Sequence, residues 1–404
     1  MESVVIFNFH PILIGPLIDQ DKLNHYTKYL YYYYQNLEFE NHHHKKSDKA
    51  PSFDHISEQV DKYSISPDSI NKRQVLIFDQ VADFIENRME NTPLLEYPLP
   101  LCLNTHIEEV FGPKISVRME WFQKYMKQVF EEFYARNESQ PEHLIHVTCS
   151  GYASPSVAQH AVVEKNWEST IVTHSYQMGC YGAFPAIRTG KSLLCSSPEK
   201  GRVDIVHTEL LSAHLNLTEF SAANTMICSL FADGFIGYSL LREKELMEDD
   251  QFPDKKGFRI LSSHEVIIPD SLEDMSWDLG EYNFLMTLSK RVPVFIRKYI
   301  KDFFKTLCAK VGVDLDKEKD HMYFAIHPGG PKIIDYVVEA VGITQQQAQW
   351  SYNILYRYGN MSSGTVPHVL GEILDDENIK SGTKVLAIAF GPGLTATGLF
   401  LEKM

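Results

Sequence analysis

From His143 onward the chain alternates short apolar strands with amphipathic helical segments, and that alternation restricts the fold to a sheet covered by helices on both faces. His143 to Thr148 reads as a strand ending at Ser150-Gly151, Val157 to Val163 as a helix, and Ser169 to Thr173 as a second strand leading to Cys180. A helix over 182–194, a strand over Val203 to Thr208, a helix over Ala222 to Leu230 and a strand over Gly234 to Leu240 follow. The second half repeats the style. Its strands fall near 258–268, 283–288 and 322–327, its helices near 294–310, 331–341, 344–357 and 362–373, and two closing strands at 384–390 and 395–402. The expectation is a two-part α/β fold with a site between the halves.

The first part of the chain is less regular. Val4 to Leu17 reads as a strand and turn, since it has Asn8, His10 and two prolines and lacks the basic start of a signal peptide. Residues 22–75 resemble an ordinary core least, running from the aromatic stretch Tyr29 to Tyr34 into His42-His43-His44 and a polar segment. Adjacent histidines on such a segment are ordinarily solvated, so no metal is expected. Gln74 to Arg88 and Val117 to Ala135 have helical apolar spacing and read as scaffold helices.

Composition limits the function classes. A net charge of -15 argues against nucleic-acid binding and favours small molecules or proteins as partners. Cys102, Cys149, Cys180, Cys195, Cys228 and Cys308 show no paired spacing, which suggests reduced thiols and a cytoplasmic location. No apolar run is long enough to span a membrane.

Three segments carry chemistry. Cys180 stands between glycines, after a strand and before a segment whose Pro185 suits the first turn of a helix. A helix start and a nearby His would bring such a thiol below neutrality, so a thiolate is expected. His327 precedes Pro328-Gly329-Gly330 at the end of an apolar strand, suited to pair with that thiolate and to donate to a thioester or enolate oxygen. Asn360, in Tyr358-Gly359-Asn360-Met361-Ser362-Ser363, offers an uncharged amide donor, although Gly-Asn is by itself an ordinary turn signal. Cys149, Cys195 and Cys228 read as buried structural thiols.

Together with Phe390-Gly391-Pro392-Gly393-Leu394, these motifs resemble the signature set of type III polyketide synthases, the chalcone-synthase-like branch of the thiolase superfamily. The resemblance covers roughly residues 140–404 and includes Thr148-Cys149-Ser150-Gly151 and Phe231-Ala232-Asp233-Gly234. It implies a layered α/β/α/β/α thiolase fold, with an N-terminal half over 1–245 that is atypical to about residue 140, and a C-terminal half over 246–404. It also implies a homodimer and an acyltransferase. Cys180 would load an acyl group, while His327 and Asn360 promote malonyl decarboxylation and stabilise the enolate and oxyanion. The product would be a pyrone, resorcinol or related polyketide. Malonyl-CoA and acyl-CoA or acyl-carrier-protein thioesters would be substrates, with no separate cofactor.

The substrate pocket implied by the resemblance comprises Leu215, Phe231, Phe284, Met286, Gly391, Pro392 and Gly393. Leu215 and Met286 align with the family's aromatic gatekeepers, Ser154 with its interface methionine and Cys149 with a threonine, so a pliable aliphatic passage is expected. The alternatives are another ketosynthase that joins two acyl chains, a Cys/His thioester hydrolase, and a non-enzymatic scaffold.

Overall fold

The computed structural model describes residues 3–41, 51–77, 114–137, 139–197, 201–216 and 219–404. The first-half strands are β1 (Val4–Ile12), β4 (His143–Thr148), β5 (Ile171–Tyr176), β6 (Val203–Glu209) and β7 (Gly234–Arg242). The second half has β8 (Phe258–Ile267), β11 (Met322–Ile326), β12 (Lys384–Gly391) and β13 (Thr395–Lys403). They hydrogen-bond in the order β11-β12-β13-β8-β1-β7-β6-β4-β5. Within this sheet β4, β5 and β6 are parallel, as are β11 and β12. The halves meet along an antiparallel seam that pairs Val5 with Arg259 and Ile6 with Phe258. The two halves therefore share one continuous sheet.

Both faces of that sheet are buried, which explains why the central strands read as nearly unbroken apolar runs. In β4, Ile145 and Val147 face a central core, and Leu144 faces an outer one. The central core holds α5 (Ala183–Ser196) and α12 (Thr365–Asp375). The first touches β4, β6, β7 and β13, the second β1, β7, β11 and β12, so each is packed against both halves. Outside the first half lie α3 (Ile115–Ala135) and α4 (Val157–Glu164); outside the second lie α8 (Val292–Ala309) and α10 (Pro331–Val341). This is the layered α/β/α/β/α thiolase fold. Each large side chain in these cores contributes ~1.5–3 kcal/mol by leaving water.

Residues 22–75 are better packed than their composition suggests. The aromatic run lies on α1 (Gln20–Asn41), where Tyr26, Leu30, Tyr31, Tyr33 and Tyr34 are buried. This helix packs on α2 (Phe53–Tyr63) and α6 (Ala222–Leu230). The expected helix from Gln74 fails at its start: Lys72–Gln74 is a short strand, β3, paired with β2 (Leu17–Asp19). Its remainder from residue 78, like the histidine triplet and Cys102, lies outside the described residues. The strand expected over Ser169 to Thr173 begins at Ile171, because Thr170 is held in a turn by its N–H to Trp167 O and its hydroxyl to Pro141 O.

Among the elements the sequence reading omitted are α7 (Glu243–Glu248) and β9 (Met275–Leu279), the latter forming a hairpin with the expected strand β10 (Phe284–Leu288). This hairpin is a separate two-stranded sheet. After α9 (Leu315–Glu318), α11 (Gln349–Tyr358) follows a capped turn at Thr344 instead of forming one continuous helix from that residue.

Candidate active site

Cys180 lies in a single 3-10 turn, Gly179–Tyr181, that follows β5 and precedes α5. The turn needs Gly179, whose φ is +68° and where a Cβ would sit 2.6 Å from Pro392 Cδ. Gly391 has the same function from the other side: a Cβ there would lie 2.3 Å from Tyr181 Cδ1. The Cys-bearing turn is thus wedged against the Gly-Pro-Gly loop.

His327 follows β11, with its N–H bonded to Ile388 O at 2.8 Å and its carbonyl accepting from Gly329 N–H at 2.9 Å. Gly330, at φ 151°, then starts α10 with Pro331 in its first turn. The imidazole is buried and, among the described residues, no group, Cys180 included, bonds either ring nitrogen. A buried polar group without a partner ordinarily costs ~1–3 kcal/mol, so its natural partner is a ligand in the cavity. Burial pulls its pKa down to about 3, keeping the ring neutral.

Asn360 is fixed by its backbone. Its N–H bonds Leu230 O at 3.0 Å, and its carbonyl accepts from Ala232 N–H at 2.9 Å, a bridge to the strand-like segment at Phe231. Its side-chain Oδ1 accepts from Ser362 N–H at 2.9 Å, which turns Nδ2, the donor end, outward. Gly359 before it admits buried Arg73: a Cβ there would lie 2.8 Å from Arg73 Cδ. That guanidinium bonds the Cys228 and Phe231 carbonyls and Gln20 Oε1, so β2 and β3 brace the floor of the site.

Cys180 is wetted only by the cavity it lines, and the protein around it is dense. Burial pushes its thiol up to about 12, against a bond from Ser362 that favours the thiolate and with Glu209 adding repulsion. Burial thus favours a thiol and a neutral imidazole over the expected thiolate–imidazolium pair. The cause is desolvation of both groups, which a helix start one turn away does not offset.

Beneath Cys180 lies a buried polar chain that sequence reasoning missed. Glu209, the last residue of β6, accepts from Cys149 N–H at 3.0 Å, Cys149 Sγ at 3.3 Å, Ser150 Oγ at 3.1 Å and the Ser363 hydroxyl. Ser363 also meets His207 Nδ1 at 2.9 Å, and His207 Nε2 meets Tyr238 OH at 3.0 Å. Burial raises the Glu209 pKa, opposed by these donors. A carboxyl at the end of a strand that carries Val203, Ile205 and Val206 was the available signal. Cys149 is buried as expected, but it also meets Ser362 Oγ at 3.2 Å and lines the cavity.

Two cavities meet at Cys180. One, of about 480 Å³, brings together Cys180, His327, Asn360, Phe231, Met286 and Phe390. The other, of about 450 Å³, is walled by Cys149, His214, Leu215, Trp277, Phe284 and Pro392 together with Cys180. Phe231, Met275, Met286 and Leu288 belong to both. Leu215, Phe231, Phe284 and Met286 line this second cavity, and Trp277 adds an aromatic wall that was not expected. Of the three loop residues only Pro392 lines a cavity; Gly391 and Gly393 shape the backbone. Among the described residues no group of His, Cys, Asp or Glu is arranged to hold a metal, and no helix is long and apolar enough to cross a membrane.

The layered core thus brings Cys180 after β5, His327 after β11 and Asn360 after α11 to one cavity. Residues 259–404 match the family "Chalcone and stilbene synthases, C-terminal domain". A "Probable polyketide synthase 1" of Dictyostelium discoideum is 27% identical over 265 residues, 65% of this chain but 8% of that protein's length. A "Putative chalcone synthase" of Bacillus subtilis is 26% identical over 260 residues, 63% of this chain and 68% of that protein. The crystal structure of PKS-I from the brown alga Ectocarpus siliculosus superposes with a TM-score of 0.78 at 19% identity, covering 100% of this chain and 99% of that one. Residues 259–404 thus match that C-terminal domain, and the whole chain has the fold of a type III polyketide synthase structure.

Proposed function

We propose that this protein catalyses decarboxylative Claisen condensation of a malonyl thioester with an acyl group held on Cys180. The observation that carries the reading is the cavity in which Cys180, the unpartnered imidazole of His327 and the outward amide of Asn360 share one apolar space. In loading, Cys180 Sγ attacks the thioester carbonyl as His327 accepts its proton, and the donor thiol leaves carrying that proton. A malonyl thioester then takes its place. Its carbonyl oxygen is held by Asn360 Nδ2 and by the protonated nitrogen of His327, so loss of CO2 leaves an enolate with its charge at two donors. The enolate carbon attacks the Cys180 thioester, the C–S bond breaks, Cys180 leaves as a thiolate that takes a proton from water, and the extended β-ketoacyl chain leaves on the donor thiol.

Two cavities at one sulfur fit this sequence: the one holding His327 and Asn360 receives the donor, and the other holds the acyl chain. The donor is a phosphopantetheine thioester, of coenzyme A or of a carrier protein, and no further cofactor is required. The protein works in the cytoplasm, in keeping with its five described unpaired cysteines. A second copy pairs along β5, which ends the sheet and leaves Ile171 exposed.

The test is incubation with malonyl-CoA and a panel of aryl and fatty acyl thioesters, reading products and the intact protein by mass spectrometry. The expected outcome is an acyl adduct on Cys180 and pyrone- or resorcinol-type products. Adducts without carbon–carbon bond formation would favour a hydrolase instead.

A further inference from the structure

We propose that His214 is a positioning residue that latches the β9–β10 hairpin onto the floor of the active site and so sets the length of acyl chain that the second cavity accepts. The inference rests on the function proposed above only in naming that cavity's occupant.

The hairpin needs a latch because it belongs to no larger sheet. Its strands pair only with each other, yet they supply Met275, Trp277, Phe284 and Met286 to the cavity wall. What ties them down is a cluster of polar contacts centred on His214. Phe284 N–H donates to His214 Nδ1 at 3.1 Å, so the ring's proton is on Nε2, which donates to Ser150 O at 2.7 Å. One imidazole therefore joins a hairpin strand to the segment after β4. Its ring also stacks on Phe284, with centroids 4.2 Å apart and planes 11° apart.

Two further bonds hold the hairpin, one to the segment after β4 and one to His214 itself. Trp277 Nε1 donates to Cys149 O at 2.6 Å, and Asn283 Nδ2 donates to His214 O at 3.1 Å. Gln177, three residues before Cys180, donates to Trp277 O at 3.0 Å. The hairpin's register against Cys180 is thus held by side chains, and its distance from the sulfur is the dimension a growing acyl chain meets. The latch needs a neutral ring, because a proton on Nδ1 would face the Phe284 N–H; burial, which draws the His214 pKa down to about 3, keeps it so.

Three variants test the latch. His214→Phe keeps the stacking ring and removes both hydrogen bonds, His214→Gln can supply one acceptor and one donor, and Trp277→Phe removes a neighbouring bond while keeping an aromatic ring. Hydrogen exchange of the amides in 275–288, referenced to β6, should speed up about five-fold for each bond lost in His214→Phe and Trp277→Phe, and return toward wild type in His214→Gln. In parallel, acylation of Cys180 by saturated acyl-CoAs of increasing length, read as intact mass, should shift toward longer chains in His214→Phe and revert in His214→Gln. Unchanged exchange, or faster exchange with an unshifted length optimum, would overturn the proposal. If the wild type is never acylated, the condensing function fails while the exchange arm still decides the latch.

Discussion

At the scale of single residues, the site is a thiol and a neutral imidazole that desolvation keeps uncharged until a substrate arrives. With its pKa raised to about 12, Cys180 is thiolate to only about 10⁻⁴ at pH 8 in the free protein. Alkylation by iodoacetamide should therefore rise about ten-fold per pH unit from 7 to 10 without levelling off. A plateau with its midpoint below pH 8 would mean that a thiolate–imidazolium pair does form. Asn360 acts later. Asn360→Ala removes one donor from the enolate and should lower the rate of malonyl decarboxylation by about 10² to 10³, as oxyanion-type donors do, while acyl loading of Cys180 is much less affected. Equal loss in both steps would assign Asn360 to holding the fold. Cys180→Ala should abolish loading altogether, measured as absence of the acyl mass increment, with the melting temperature close to wild type because little volume is removed.

At the scale of elements, the functional side chains are placed by contacts between backbone turns, and these explain which parts of the site were legible. Gly179 at φ +68° and its 2.6 Å clearance from Pro392 leave no room for a methyl group. Gly179→Ala should destabilise the protein by about 1–3 kcal/mol and lower kcat for loading, since the strain falls on the turn that aims Cys180; a variant with wild-type melting temperature and loading rate would show that the turn tolerates a Cβ. Glycines beside Cys180, His327 and Asn360 were readable because such turns demand them. The strands β4, β6 and β12 were readable because strands buried on both faces are rich in Val, Ile, Leu and Ala. By contrast β9, Met-Ser-Trp-Asp-Leu, has no apolar run, and its place over the cavity depends on distant partners at Cys149 and His214. The helix expected from Gln74 begins instead at Leu76, because Gln74 ends β3, whose pairing with Leu17–Asp19 is long-range. The thiol's protonation was misjudged for the same reason: desolvation is a property of the surrounding fold, not of the residues flanking Cys180.

At the scale of the whole molecule, the N-terminal tyrosine-rich helix and Arg73 show why a region that looked unlike a core is part of the machine. Tyr31 OH meets Cys228 Sγ at 3.6 Å and accepts from Asn224 at 2.9 Å, so α1 supports the cavity-lining face of α6. The fold also buries five neutral histidines across both halves: His146, His207, His214 and His327, with pKa values lowered to about 3, and His368, lowered to about 4, in every case chiefly by burial. A histidine held below its unfolded value of 6.5 contributes stability that is fully present above 6.5 and is lost as pH falls toward the folded value. Each costs about 1.4 kcal/mol per pH unit in that window. Two buried carboxyls act in the opposite sense: Asp233, raised to about 6 by burial, and Glu209, also raised by burial, stabilise the fold as pH falls through their folded values. Five groups against two leave a net loss of several kcal/mol between pH 6.5 and 5, a large part of the ~5–15 kcal/mol that holds a typical protein folded. The melting temperature should therefore be flat from pH 7 to 8 and fall steeply below 6.5, as followed by circular dichroism at matched ionic strength. His146→Phe, which removes one titrating group from a fully buried position, should flatten that decline even where it lowers the melting temperature at pH 7.5. A melting temperature that holds steady down to pH 5 would show that these imidazoles take up protons in the folded protein, and with that the neutral, donor-ready state assigned to His327 would fall.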